Sequence, residues 1–288
     1  MKTVIKILPQ GYCNGVKRAL EIVKKAIENK NTPRPIYLLG QIIHNRHVVQ
    51  ALEAQGVIPI EEKGKTRLEL LDKIPSGSVV FSAHGVAPIV YRRATEKGLN
   101  IIDATCGNVL IVHKRIQEYL NRGYECIYVG TRNHPECEGV LGISPKIHFV
   151  SSKEDIERLV IQGDKIYVTN QTTLSKFDIA NIFKDLKKKY PALLFDDKIC
   201  NATTIRQEAM AAQKEVDLCI VVGDSLSSNT KKLAKVSEEI AGIKTILCED
   251  LASLDKDAVK QAERISISSG ASTPEEIVEE IIQYIETL

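Results

Sequence analysis

The stretch Cys106-Gly-Asn-Val109-Leu-Ile-Val112-His-Lys-Arg-Ile116-Gln-Glu-Tyr-Leu120 is followed by Cys126-Ile-Tyr-Val-Gly130 and the turn Thr131-Arg-Asn-His134-Pro-Glu136. Apolar residues at 109, 112, 116 and 120 share one face of a helix. The short apolar run after it reads as a buried strand, closed by a polar turn. The same helix, strand and turn recur on both sides. Upstream, Val16, Leu20, Val23 and Ile27 stripe a helix after Cys13, and Pro35-Ile-Tyr-Leu-Leu-Gly40 enters the turn Gln41-Ile-Ile-His44-Asn45. Downstream of Cys200, Thr204-Ile-Arg-Gln207 has the spacing of a capping box at a helix start. Leu218-Cys-Ile-Val-Val-Gly223 then leads into Asp224-Ser-Leu-Ser227-Ser228-Asn229.

The repeat has a period. Cys13, Cys106 and Cys200 are 93 and 94 residues apart, and their strand-ending glycines follow after 27, 24 and 23 residues. A second polar turn, marked by His84, Thr172 or Ser272, follows each cysteine after 71, 66 and 72 residues. Self-similarity at a fixed spacing predicts three related α/β modules. Their expected bounds are 13–105, 106–199 and 200–288, with the N-terminal strand segment 1–12 joined to the third. Alternating strands and helices imply parallel sheets, and ligands gather beyond the carboxyl ends of such strands. All six polar turns fall there, so they are expected to line one central cavity.

The bulk properties exclude several function classes. With 39 basic and 37 acidic residues the formal charge is +2, which leaves no bulk attraction for nucleic acid or membrane. The N-terminus lacks an apolar run of signal-peptide length, and no segment approaches the ~18 apolar residues of a membrane span. A cytoplasmic protein is expected. Its seven cysteines then point to metal binding or catalysis rather than a disulfide framework.

Cys13, Cys106 and Cys200 head helices in glycine-, asparagine- or threonine-rich turns, where the helix end favours a thiolate. Three converging thiolates suit a metal or cluster with one open position. Cys126, Cys219 and Cys248 read as buried apolar residues, and Cys137, beside Glu136, is assigned neither role. His44, His84 and His134 occupy equivalent post-strand turns and are candidate ligand contacts, whereas His47, His113 and His148 read as structural. Ser227, Ser228, Asn229 and Ser272 suit phosphate oxygens at helix starts. They equally suit helix capping, since Ser272-Thr-Pro-Glu275 also has capping-box spacing. Glu136 is a candidate proton donor if it is dry, and otherwise an exposed loop carboxylate. No Gly-x-Gly-x-x-Gly, Walker A or Gly-x-Ser-x-Gly sequence is present. Thiolates alone would also serve a non-catalytic metal- or redox-sensing module, and the histidine turns a zinc phosphohydrolase.

The ordered motifs carry a resemblance. Gly11-Tyr-Cys-Asn-Gly-Val, His44-Asn45-Arg, Phe81-Ser-Ala-His84-Gly-Val, Asp103-Ala-Thr-Cys106, His134-Pro-Glu136, Gln171-Thr-Thr-Leu-Ser175, Cys200-x-Ala-Thr-x-x-Arg-Gln, Ser227-Ser-Asn229 and Gly270-Ala-Ser-Thr-Pro span nearly the whole chain. Together they resemble the 4-hydroxy-3-methylbut-2-enyl diphosphate reductase family, an iron–sulfur reductase family of isoprenoid biosynthesis. The resemblance implies a trefoil of three pseudo-symmetric α/β domains around a [4Fe–4S] cluster held by Cys13, Cys106 and Cys200. It implies diphosphate contacts from His44, His84, His134, Ser227, Ser228, Asn229 and Ser272, with Thr172 near the substrate hydroxyl and Glu136 as proton donor. The implied reaction is a two-electron reductive dehydroxylation giving isopentenyl and dimethylallyl diphosphate, with ferredoxin or flavodoxin as electron donor. Gly107 departs from the proline common after the second cysteine, and Asn201 and Ile205 alter the third cysteine motif. None of these removes a ligand.

Overall fold

The computed structural model describes residues 2–288. Strand β1 (Thr3–Lys6) precedes Cys13 and helix α1 (Asn14–Glu28) follows it. The first passage continues β2 (Ile36–Leu39), α2 (Arg46–Glu53), β3 (Val57–Ile60), α3 (Arg67–Asp72), β4 (Ser78–Phe81), α4 (Pro88–Glu96) and β5 (Asn100–Asp103). The second runs α5 (Gly107–Asn121), β6 (Glu125–Val129), α6 (Pro135–Leu141), β7 (Ile147–Val150), α7 (Lys153–Arg158), β8 (Ile166–Asn170), α8 (Lys176–Lys189) and β9 (Leu194–Phe195). The third runs α9 (Asn201–Ala211), β10 (Leu218–Val222), α10 (Ser228–Glu239), β11 (Thr245–Cys248), α11 (Lys256–Gln261), β12 (Arg264–Ser269) and α12 (Glu275–Glu286). No helix among the described residues is long and apolar enough to cross a membrane.

The class is α/β. Three four-stranded sheets are ordered β3-β2-β4-β5, β7-β6-β8-β9 and β1-β12-β10-β11, and the pairings are parallel. Strand β1 takes in the third sheet the edge place that β5 and β9 take in the other two. Each of these edge strands runs on into one of the cysteines at 13, 106 and 200. The two inner strands of each sheet pair with opposite edge strands, so their carboxyl ends frame the switch point where α/β sheets bind ligands. The six polar turns follow those six inner strands.

The chain divides into two compact units. One holds the N-terminal residues through Val16, His44–Arg46 and Cys200–Leu288; the other holds Lys17–Ile43 and His47–Ile199. In the first, Ile220, Val222, Ile265 and Ile267 pack with Val278, Ile281, Ile282 and Ile285 of α12. Each fully buried side chain of this size contributes roughly 1.5–3 kcal/mol. In the second, the faces of β6 and β8 divide. Ile127, Val129 and Val168 pack with Ile179 and Leu186 of α8, while Cys126, Tyr128 and Tyr167 pack with Val112 and Ile116 of α5. The strand-ending glycines have a steric reason. A Cβ on Gly130 would lie 2.5 Å from Cys137 Sγ, and one on Gly223 would lie 2.7 Å from Thr230 Oγ1.

Candidate active site

In the larger unit the chemistry begins with how α6 starts. His134 is its N-cap, extended at φ −78° and ψ 136°, and its Nδ1 accepts the Glu136 N–H at 3.2 Å. Pro135 opens the helix, where a missing N–H costs nothing. Glu136 is therefore turned into the protein and is 1% exposed. Its Oε1 accepts the Thr172 N–H at 2.8 Å and the Tyr128 hydroxyl at 3.1 Å, and its Oε2 accepts the Thr172 hydroxyl at 2.9 Å. The reading of Glu136 as an exposed loop carboxylate fails, because the helix start carries it inward. Burial pushes its carboxyl up to about 7, against the three donors, which favour the ionised form. Such a group gains and loses a proton near neutrality, as a general acid requires.

His84 and His134 meet edge to face with ring centroids 5.5 Å apart, and Ser82 Oγ lies 3.2 Å from His84 Nδ1. Cys106 is the N-cap of α5, extended and without a side-chain cap bond. Its N–H donates to Ala83 O at 3.0 Å, which ties the cysteine loop to the His84 turn. His84, His134, Glu136, Thr172 and Cys106 thus belong to one compact body. The histidines set aside as structural differ in kind. His113 is pushed down to about 4 by burial, and His148 pairs with Glu125 at 2.6 Å. Cys137 is buried with its Sγ 3.5 Å from Gln171 Oε1, and burial raises its thiol.

The smaller unit repeats the cysteine device. Cys13 N–H donates to Ala271 O at 3.1 Å, beside Ser272, as Cys106 does to the residue before His84. Cys200 is the N-cap of α9, extended and again without a side-chain cap bond. The capping box expected at Thr204–Gln207 does not start this helix, which is already under way from Asn201. Ser272 does not cap α12 either. Its hydroxyl donates to His44 O at 3.1 Å, and Pro274 holds the N-cap position. That bond fixes the His44 segment, which Arg46 anchors further on Asp250 at 2.6 Å and Glu249 at 3.3 Å.

Ser227 is a true N-cap, accepting the Thr230 N–H of α10 at 3.3 Å. Ser228 and Asn229 occupy the first turn and are buried. Neither Nδ2 nor Oδ1 of Asn229 has a hydrogen-bond partner among the described residues. A buried amide left this way costs roughly 1–3 kcal/mol unless a partner is supplied.

Two residues were not singled out by sequence reasoning. Tyr128 reads as an ordinary strand aromatic, yet its hydroxyl reaches Glu136. Arg206 reads as one letter of a motif, yet it is 3% exposed.

Comparison with known proteins extends over this whole arrangement. The profile of the LytB protein family matches residues 4–286. A 4-hydroxy-3-methylbut-2-enyl diphosphate reductase of Geobacillus sp. (strain WCH70) is 50% identical over 98% of this chain and 90% of its own length. One from Anoxybacillus flavithermus is 48% identical with the same coverage. The solved E-1-hydroxy-2-methyl-but-2-enyl-4-diphosphate reductase of Plasmodium falciparum superposes with TM-score 0.90 at 35% identity, covering 98% of this chain and 87% of that one. A second structure, of (E)-4-hydroxy-3-methyl-but-2-enyl diphosphate reductase, the terminal enzyme of the non-mevalonate pathway, covers 100% of both chains at TM-score 0.68 and 30% identity. Motifs, sheets and site residues all lie within the matched span, and this chain belongs to the LytB family.

Proposed function

We propose that this chain reduces 4-hydroxy-3-methylbut-2-enyl diphosphate, removing its hydroxyl as water to give isopentenyl and dimethylallyl diphosphate. Relatives named for that substrate share up to half of its residues across nearly its whole length. Within the chain, the observation that carries the reading is the buried Glu136 carboxyl bonded to Thr172, a proton source poised near neutral pH.

The donor set fits a [4Fe–4S] cluster. None of the seven cysteines is in a disulfide among the described residues, and Cys13, Cys106 and Cys200 are half-buried whereas the other four are buried. Arg206, inside the smaller unit, sets positive charge toward Cys13 and Cys200 and is bonded to no carboxylate among the described residues. That surrounding suits an anionic sulfur-rich group. Cys13, Cys106 and Cys200 would hold the cluster, leaving one iron without a protein thiolate. When bound, the cluster supplies the two electrons singly and Lewis acidity toward the substrate hydroxyl.

The protein's own residues do the rest. His44, His84, His134, Ser227, Ser228, Asn229 and Ser272 take the diphosphate, with the α10 N-terminus adding backbone N–H groups. Glu136, steadied by Thr172, gives its proton to the departing oxygen. The C–O bond breaks, two electrons and two protons are consumed, one proton leaves in water and the other adds to carbon. The three-module division at 13–105, 106–199 and 200–288 belongs to this reading, each module bringing one cysteine. Electrons come from ferredoxin or flavodoxin, and a cytoplasmic setting keeps the thiols reduced.

Anaerobically purified protein is expected to contain iron and acid-labile sulfide, and to consume the allylic diphosphate only when a reduced dye is supplied. Zinc in place of iron, or cluster without electron-dependent turnover, sinks the reading in favour of a hydrolase or a sensing module. Cys106→Ser is expected to lose cluster iron, and a full brown holoprotein from that variant contradicts the ligand assignment.

A further inference from the structure

Arg206 is a buried cation that no carboxylate among the described residues pairs with. It lies in the second turn of α9, the helix that Cys200 caps. Helical side chains lean back toward the N-terminus, and this one does so. Its Nη1 donates to Ala202 O at 3.1 Å, and its Nη2 crosses to Gly11 O at 2.8 Å, two residues before Cys13. The residue is 3% exposed, and its Nε is buried with no hydrogen-bond partner among the described residues. Two neutral carbonyls satisfy hydrogen bonds but leave the charge unbalanced. A guanidinium stays charged in any protein interior and is tolerated there only against an anion. Burial works against its charged form, and the groups placed to offset this as thiolates are Cys13, two residues beyond its Gly11 partner, and Cys200, the cap of its own helix.

We propose that Arg206 is the positioning residue and fixed counter-charge of the group held by the cysteines. One arm of its fork ties the Cys200 helix to the Cys13 loop, and its charge stabilises the more negative, reduced form of the bound cluster. The inference rests on the cluster assignment made above. It adds a residue that touches neither substrate nor iron yet sets how readily the centre accepts an electron and how long it persists. Lysine keeps the charge but cannot span both carbonyls with a planar fork, so the two roles separate by substitution.

The test uses full-length protein reconstituted anaerobically with iron and sulfide. Midpoint potential is read by an EPR-monitored redox titration, and persistence by the rate of iron loss to a chelator. Arg206→Met is expected to shift the one-electron equilibrium about tenfold toward the oxidised form, 59 mV more negative, and to lose iron about tenfold faster. Arg206→Lys is expected to keep the wild-type potential while losing iron faster, so the proposal stays open to refutation even if the methionine variant folds poorly. Wild-type potential and iron-loss rate in Arg206→Met, or a wild-type loss rate in Arg206→Lys, overturn it. Wild-type protein that binds no iron and sulfide refutes the cluster assignment itself, a separate result from a stable cluster indifferent to Arg206.

Discussion

The turn around Glu136 and the turn around Asn229 solve the burial of a polar side chain in opposite ways. Glu136 is 1% exposed and accepts three hydrogen bonds from its own unit. Asn229 is 5% exposed, and neither atom of its amide is bonded within the described protein. A group whose donors are already in place changes its proton affinity. A group whose partners are missing changes its affinity for whatever supplies them. The first arrangement suits a reagent and the second a receptor, and each substitution below tests one side of that contrast.

Glu136→Gln is expected to have the largest effect. Glutamine keeps the shape and most of the hydrogen bonding but has no transferable proton, so turnover should fall by roughly 10²–10⁴-fold with iron content unchanged. Turnover within threefold of wild type removes Glu136 from the mechanism. The same variant tests the burial cost. The folded carboxyl sits at about 7 against an ordinary 4.5, so the folded state binds more protons than the unfolded state between those values. Stability is therefore greatest below the unfolded value and declines as pH rises through the folded one. The penalty above pH 7 is roughly 3 kcal/mol at 1.36 kcal/mol per unit. Denaturant unfolding of Glu136→Gln should lose most of this slope, and a slope equal to wild type would show that the carboxyl is not the buried acid described.

Asn229→Leu addresses the receptor. An apolar side chain of similar size removes the unpartnered amide, so the protein without substrate should unfold at a higher temperature. On the diphosphate-binding role proposed for Asn229, the substrate loses a hydrogen bond of about 1.5–3 kcal/mol, which raises KM about 10- to 100-fold. A lower unfolding temperature with unchanged KM would place the partners of Asn229 inside the protein and erase the contrast with Glu136.

Much of this is legible in the amino-acid sequence. The inner strands β6 and β10 read clearly because nearly every side chain in them is apolar and buried on both faces, from Cys126 to Val129 and from Leu218 to Val222. The turns after them were legible because histidine, serine and asparagine interrupt an apolar pattern abruptly. Edge strand β9 is two exposed residues, Leu194 and Phe195, too short for any periodicity to register. The capping spacings at Thr204 and Ser272 misled because capping depends on backbone conformation. Cys200 already holds the extended N-cap position, and Ser272 uses its hydroxyl on His44 O. Tyr128 and Arg206 were beyond reach for a different reason. Strand periodicity states which face Tyr128 takes but not where its hydroxyl ends, and an arginine in a helix ordinarily faces water.

The smallest expected effect is also the sharpest test of the Glu136 side. In Tyr128→Phe the carboxylate loses one of three donors that favour its ionised form, so its proton affinity rises by about one unit. The groups that face it otherwise are unchanged: His134 and Cys137 on its own helix, Thr172 at the end of β8, and His84 against the His134 ring. A general acid works while protonated, so activity falls as pH rises through its pKa. The alkaline limb of the wild-type profile should lie near pH 7, and in Tyr128→Phe it should move higher, with KM and cluster content little changed. A limb that moves lower, or stays fixed while kcat drops at every pH, would mean that Tyr128 serves packing alone and that the proton affinity of Glu136 is set without it.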